Sequence, residues 1–410
     1  MEKQIYLDYA ATTSIDPKVL EKMMPYLKAD YGNPSSIYTL GQKSLAAIDE
    51  ARESISRFLG CQFSEVVFTG SATEANNLAV FGVIRLCQGF GGQVKNRNQK
   101  LHIITSKIDH HSVLEPFQVL KKKGVEITYL PVDRAGLISI SDLEKALLPE
   151  TVMVSIMYAN NEIGTIQPIA EIGKILKAKS SNLKAKIYFH TDAVQAANYL
   201  DCNVNRLGVD LLTLSAHKTY GPKGVGALFV KEGVEITPLI FGGGHEFGFR
   251  SGTENVAGIA GFGKAIEKVG NLKPAASGVA SGEPRLGREV ERIKKLRDRL
   301  ISEILKNISG SKLNGSLEHR LPNNTNFSFK GIEGESLVIA LDQERIAVST
   351  GSACSAKTLK PSHVLLALGL SEKEALSSLR LTLGRYTTTK EIETTLKVLP
   401  KIVERLRKIS

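Results

Sequence analysis

Short, uninterrupted apolar runs recur along the middle of the chain: Ile103–Thr105, Ile127–Leu130, Val152–Met157, Ile187–Phe189, Leu211–Leu214 and Ala227–Val230, with helical spacing between them. A strand covered on one face alternates apolar and polar residues, whereas one covered on both faces reads as a continuous apolar run. The pattern therefore predicts an α/β fold built on a mostly parallel sheet with helices on both faces. An earlier run, Val66–Thr69, leads through Gly70-Ser71-Ala72-Thr73 into a helical pattern over Glu74–Leu86. The 410 residues allow roughly two to three domains.

On such a sheet, ligands collect beyond the carboxyl ends of the strands. Polar residues cluster there: Asp109-His110-His111, then Asn160-Asn161-Glu162, then His190 to Gln195 with Asp192 between them, and then Ser215, His217 and Lys218. One such cluster would mean little, but four successive strand ends argue for a site. Lys218 stands between an apolar run and the turn Gly221-Pro222-Lys223-Gly224. A lysine held against apolar surface loses ammonium solvation, its pKa falls, and its amine can form a Schiff base with an aldehyde such as pyridoxal 5'-phosphate (PLP). A solvated loop lysine fits this one stretch equally well. The Gly70–Thr73 turn is likewise either a helix start capped by Ser71 or Thr73, or a phosphate seat at the positive end of the helix. PLP asks for a carboxylate at its ring nitrogen, a donor to its ring oxygen, a planar group on its face and donors to its phosphate. Asp192, Gln195, His110 and the set Ser215, His217 and Thr73 supply these in turn.

Taken together, Tyr31-Gly-Asn-Pro-Ser-Ser36, Gly70-Ser-Ala-Thr-Glu-Ala-Asn-Asn77, Asp109-His110, Asn160-Asn-Glu-Ile-Gly164, His190-Thr-Asp-Ala-Val-Gln195, Ser215-Ala-His-Lys218 and Arg250-Ser-Gly-Thr253 resemble the class V aminotransferase-like PLP enzymes. The chain is most similar to cysteine desulfurases of the NifS/IscS type, nearly from end to end. The resemblance implies a fold type I, aspartate aminotransferase-like PLP-dependent transferase. Its large PLP-binding domain would span 14–270, and a smaller α+β domain would combine 1–13 with 271–410. It implies Lys218 as the residue bonded to PLP, and Ala72, Thr73, His110, Asn161, Asp192, Gln195, Ser215 and His217 around the cofactor. Thr253 would reach the phosphate of the neighbouring subunit of a homodimer. Phe247 stands where relatives often carry a polar or basic residue.

In the last third, 273–287 is rich in Gly, Ala, Ser and Pro and reads as an inserted loop, as does the polar stretch 88–100. Val290, Ile293, Leu296, Leu300, Ile301 and Ile304 mark one face of a helix. Asn326–Phe329 and Ser336–Ile339 are further short elements, and Thr388-Thr389-Lys390-Glu391 is a capping box opening a terminal helix. Between them, Ser349-Thr350-Gly351-Ser352-Ala353-Cys354 sets a cysteine among small residues, the composition of an exposed reactive loop. It resembles the Ser-Ser-Gly-Ser-Ala-Cys loop of group I desulfurases, with Thr350 for the second Ser. Cys61 and Cys202 read as small core residues.

By the same resemblance, Arg380 would grip the substrate carboxylate, with Asn161 and Asn33 beside it, while Arg385 is structural. L-Cysteine would bind, Lys218 would carry the α-proton, and His110 would take the thiol proton or assist protonation. Cys354 would receive the sulfur as a persulfide, leaving alanine. The acceptor would be an iron–sulfur scaffold or a tRNA-thiolation enzyme, and the tail with which relatives dock the scaffold has no counterpart here. Competing readings are a selenocysteine lyase or aminotransferase of the same class, and a catalytically idle scaffold that keeps the fold.

Composition narrows the setting. The net charge is +11, but Lys and Arg are dispersed, with no basic run interleaved with aromatics, so direct nucleic-acid binding is not expected. Cys61, Cys87, Cys202 and Cys354 have no metal-ligand or disulfide spacing, which fits a reducing cytoplasm. Neither a signal-peptide core nor a membrane-length apolar run is present.

Overall fold

The computed structural model describes residues 4–87, 100–183, 186–270, 287–351 and 360–409. Both inserted loops and Cys354 fall outside the described residues. The framework is a seven-stranded sheet in the order Val66–Thr69, Gly226–Val230, Leu211–Ser215, Tyr188–Asp192, Thr151–Ser155, His102–Ser106, Glu126–Leu130. The last five strands pair in parallel, and Gly226–Val230 runs antiparallel to both of its neighbours. Val66–Thr69, Leu211–Ser215 and Gly226–Val230 are buried at every position, which is why they read as unbroken apolar runs. Apolar clusters fill both faces. Ile104, Val154, Phe189 and Leu212 point to one, and Val67, Ile103, Met153 and Leu211 to the other.

Two strand ends differ from the sequence reading. The run expected to reach Met157 stops pairing at Ser155. The run expected to end at Phe189 continues through Asp192, because its polar residues find partners inside the sheet. His190 lies 2.8 Å through Nδ1 from Ser155 Oγ and 3.2 Å through Nε2 from Thr213 Oγ1. Burial holds its imidazole neutral, with the pKa lowered to about 4.

Helices cover the sheet through apolar stripes. Thr39–Leu59 buries Ala47, Ile48, Ala51, Ile55 and Leu59 and ends at Gly60 in the left-handed region, with φ 68°. It packs on Val256–Gly270, where a Cβ on Gly263 would lie 2.5 Å from Ala51 Cα, so only glycine allows that approach.

The second unit is a three-stranded antiparallel sheet, Ser378–Thr382, Asn324–Phe329 and Ser311–Leu313. It packs with Arg288–Asn307, whose buried residues include Val290, Ile293, Leu296, Leu300, Ile301 and Ile304. Ser336–Ile339 lies within the helix Gly334–Gln343. The capping box of Thr389–Arg407 is formed, with Glu391 N–H donating to Thr388 Oγ1 and Thr388 N–H to Glu391 Oε2. The first strand is only two residues long. Ile5–Tyr6 pairs in parallel with Ile346–Ala347, after which the chain crosses to Thr382 at Asp8.

Candidate active site

The site forms where the segment Asp8–Thr13 passes between the large sheet and the small one. Strand Leu211–Ser215 ends in a 3-10 turn, Ala216–Lys218. From that turn Lys218 Nζ donates to the carbonyls of Ala10, at 2.5 Å, and Ala11, at 2.7 Å. Two successive alanines leave those carbonyls open to an approaching amine. Gln195 Nε2 donates to the same Ala10 carbonyl at 3.0 Å, and His217 Nδ1 lies 3.1 Å from Thr12 Oγ1. Burial, reinforced by the positive Lys218 and Lys223, lowers the His217 pKa to about 4 and keeps it neutral.

Deeper in, Asp192 closes the end of its strand. Its Oδ1 accepts from Val194 N–H at 3.0 Å and its Oδ2 from Asn76 Nδ2 at 2.8 Å. The other hydrogen of that amide reaches Ser112 Oγ at 2.8 Å, and Ser112 Oγ lies 2.8 Å from His110 Nδ1. His110 is the N-cap of helix His111–Lys122, its Nδ1 accepting from Ser112 N–H at 3.1 Å. Asp109 builds the preceding turn. It is fully enclosed and accepts from Ser106 N–H and Oγ and, at 2.9 Å, from Met157 N–H. Burial pushes its carboxyl up to about 7 despite those donors.

The turn after Val66–Thr69 is a capped helix start, and the cap leaves room for a phosphate at the same helix end. Ser71 Oγ accepts from Glu74 N–H at 3.1 Å, opening the helix Ala72–Cys87 with Ala72 and Thr73 in its first turn. Glu74 then accepts from Gly70 N–H and pairs with Arg250 at 2.8 Å, which brings the Arg250–Thr253 loop to this helix end. A Cβ on Gly226 would lie 2.6 Å from Ser71 C and 2.8 Å from Ala72 N, so the turn sits directly on that strand. Thr73 and Thr253 are exposed, while Ser215 is buried at its strand end.

From the small sheet comes Arg380, buried except for 1% of its surface. Its guanidinium pairs with Asp8 Oδ1 at 2.8 Å and donates to the carbonyl of Asn161 at 3.0 Å, and its Nε has no hydrogen-bond partner among the described residues. The backbone of Arg380 pairs with Ser349. Buried Glu162, next to Asn161, accepts from Ser362 Oγ at 2.5 Å, and His363 Nε2 lies 3.0 Å from the Asp109 carbonyl. The described residues flanking the Cys354 segment, Ser349 and Ser362 to His363, thus attach beside Arg380, Glu162 and Asp109. Cys354 itself is outside the described residues. Asn33 is exposed and closes its own turn by accepting from Ser35 N–H. Arg385 is bound to Asp16 and Glu289. Cys202 is buried and Cys61 packs against the core, its thiol pushed up to about 12 by burial and then by Glu65.

The donor set fits PLP. Asp192 is a buried carboxylate whose hydrogen-bond donors among the described residues are neutral, which leaves its charge for a cationic ring nitrogen. A helix N-terminus stands ready for a phosphate, and a lysine amine is held by carbonyls. Asp8, Asn76 and Ser112 belong to this constellation, although the reading from sequence passed over them. A usable signal was Asn76, an amide in the middle of the buried helix face formed by Ala75, Leu78 and Ala79.

The pattern of the class-V aminotransferase family matches residues 5–395. A protein of Dictyoglomus turgidum described as "Cysteine desulfurase IscS" is 51% identical over 410 residues, covering 100% of this chain and 97% of that protein. Among solved structures, a "NifS-like protein" superposes with a TM-score of 0.86 at 36% identity, over 98% of this chain and 99% of the other. "SspA in complex with cysteine" gives 0.77 at 36% identity, over 94% and 100%.

Proposed function

The chain belongs to the class-V aminotransferase family, as a cysteine desulfurase of the NifS/IscS type, and on that premise we propose how its residues turn L-cysteine into L-alanine and a protein persulfide. PLP supplies the electron sink for the bond changes at the substrate Cα and Cβ. The observation that carries the reading is the Asp8–Thr13 segment, which holds Arg380 through Asp8 and Lys218 through Ala10 and Ala11. A carboxylate-binding fork and a reactive amine thereby share one pocket.

Lys218 would hold the cofactor through its amine, and that amine is the group placed to carry the proton from the substrate Cα. Asp192 would favour a protonated ring nitrogen by its charge, and Asn161 and Gln195 would contribute further polar contacts to the cofactor. Thr73, the Ala72 end of its helix, Ser215 and His217 would hold the phosphate. Arg380 would take the substrate carboxylate with two of its remaining N–H groups, and His110 would cover the ring face. The Cys354 thiolate attacks the substrate sulfur. An S–S bond forms as the Cβ–S bond breaks, and the electron pair stays with the carbon that becomes the methyl group of alanine. The persulfide sulfur then passes to an acceptor for iron–sulfur cluster assembly or tRNA thiolation. The active unit is a homodimer, in which Thr253 of the partner subunit completes the phosphate site. The exposure of Ile37 and Phe241, 94% and 73%, supports a second copy covering them.

The test incubates PLP-loaded protein with L-cysteine and a reductant and measures alanine and sulfide together. Equal yields that vanish in Cys354→Ser are expected. Alanine without sulfide, or a mutant as active as the parent, overturns the reading.

A further inference from the structure

Four groups from three parts of the chain form one unbroken line of hydrogen bonds across the floor of the site, and the charge of Asp192 fixes the direction of the first bond, from which the others follow. The Asp192 carboxylate can only accept, so the side of the Asn76 amide that faces it, 2.8 Å away, must be the nitrogen. Turned the other way, the amide would set its carbonyl oxygen against a negative charge. The second hydrogen on the same nitrogen then points to Ser112 Oγ, also at 2.8 Å. With its oxygen accepting from Asn76, the Ser112 hydroxyl has its own hydrogen to give, and His110 Nδ1 lies 2.8 Å away. The N–H of Ser112 reaches the same Nδ1 at 3.1 Å. Two donors therefore converge on one ring nitrogen, which is left no room for a proton of its own.

We propose that Asn76 and Ser112 are positioning residues that pass the bond direction imposed by Asp192 on to His110, locking it as the neutral imidazole with its proton on Nε2. His110 then enters the reaction as a hydrogen-bond donor through Nε2. It takes up a proton only if Nδ1 gives up its two donors, so in the resting site the base is Lys218. The assignment of His110 to the site rests on the desulfurase reading, but the lock itself is a property of this chain's hydrogen bonds. The imidazole also faces Lys218, His111 and His363, whose positive forms oppose a second proton on the ring, whereas Asp192 favours one. Burial outweighs that attraction and lowers the His110 pKa, in keeping with a ring that stays neutral.

The experiment records nitrogen NMR spectra of the dimer-competent, PLP-loaded full chain carrying 15N-histidine, with the His110 signals identified by their loss in His110→Gln. The parent should show the Nε2-protonated neutral pattern from pH 6 to 8. In Ser112→Ala, which keeps the backbone donor but loses the hydroxyl, the signals should move toward the other tautomer and the ring should titrate at higher pH. Asn76→Ala should do the same more weakly, and Ser112→Thr should restore the parent pattern. A parent ring protonated on Nδ1, or an unchanged titration in Ser112→Ala, overturns the proposal. These spectra need no turnover. Failure of the desulfurase assay alone, with the tautomer as described, would count against the function and leave the lock standing.

Discussion

The two sides of the site are held together by different physics. On the large-sheet side, Asp192, Asn76, Ser112, His110 and His217 are fixed by hydrogen bonds and not by ion pairs, and the imidazoles stay uncharged. On the small-sheet side, Arg380 is held by the opposite charge of Asp8, and Arg385 by Asp16 and Glu289. Neutral hydrogen bonds are directional, and they set tautomers and amide orientations. Ion pairs are strong at short range but tolerate an exchange of partner. The first arrangement suits a cofactor that stays, and the second suits a substrate carboxylate that must arrive and leave at every turnover.

The sharpest way to break this contrast is to remove Asp8. Asp8→Ala leaves a buried guanidinium without its counter-charge and should cost about 3 kcal/mol or more of stability. Thermal melting would read this as a lowered midpoint. Adding a carboxylate ligand such as L-alanine should recover more of the lost midpoint in the variant than in the parent. An equal response in both would mean that Asp8 and the ligand do not share Arg380.

Gly226→Ala acts on the other side, where nothing is meant to exchange. The added methyl meets the backbone of Ser71 and Ala72 at 2.6–2.8 Å, a clash no rotamer relieves, and should destabilise the fold by about 1–3 kcal/mol. It should also weaken PLP retention on dialysis, read from the visible absorbance of the protein. Full retention would separate this turn from the phosphate.

The smallest effect is the pH dependence of stability. His190 and His217 have folded pKa values lowered to about 4 against an ordinary value of 6.5, so the unfolded chain binds more protons between those limits. Their contribution is complete above pH 6.5 and is lost as the pH falls toward 4. Asp109, raised to about 7, works in the opposite sense, its contribution fading as the pH rises through 7. Two histidines against one acid should make the melting midpoint fall between pH 6.5 and 4, less steeply in His190→Asn. The same slope in both proteins would remove His190 from the account.

The same contrast explains what could be read from the residues alone. The strands were legible because burial on both faces leaves little choice of residue, and Lys218 was legible because a lone lysine at such a strand end stands out. Their exact ends were not, because His190 finds its partners on the neighbouring strands and Asp192 on a helix far off in sequence. Asp8, Asn76 and Ser112 were passed over for a related reason. Asn76 meets Asp192 across 116 positions and Asp8 meets Arg380 across 372, separations at which local periodicity carries no information. Cys354 was readable only through the company it keeps in sequence.

The pairing of the first strand with Ile346–Ala347, and of Asp8 with Thr382 and Arg380, sets an order of assembly during synthesis. Domains fold as they leave the ribosome. The large sheet is complete once Val230 has emerged, yet the segment that supplies the carbonyl partners of Lys218 has no anchor on the small sheet until residue 382 has been made. At ordinary elongation rates that interval is roughly ten to thirty seconds. The lysine pocket is therefore among the last parts of a newborn chain to close, so its amine gains its final surroundings only in a molecule that already carries the segment containing Cys354.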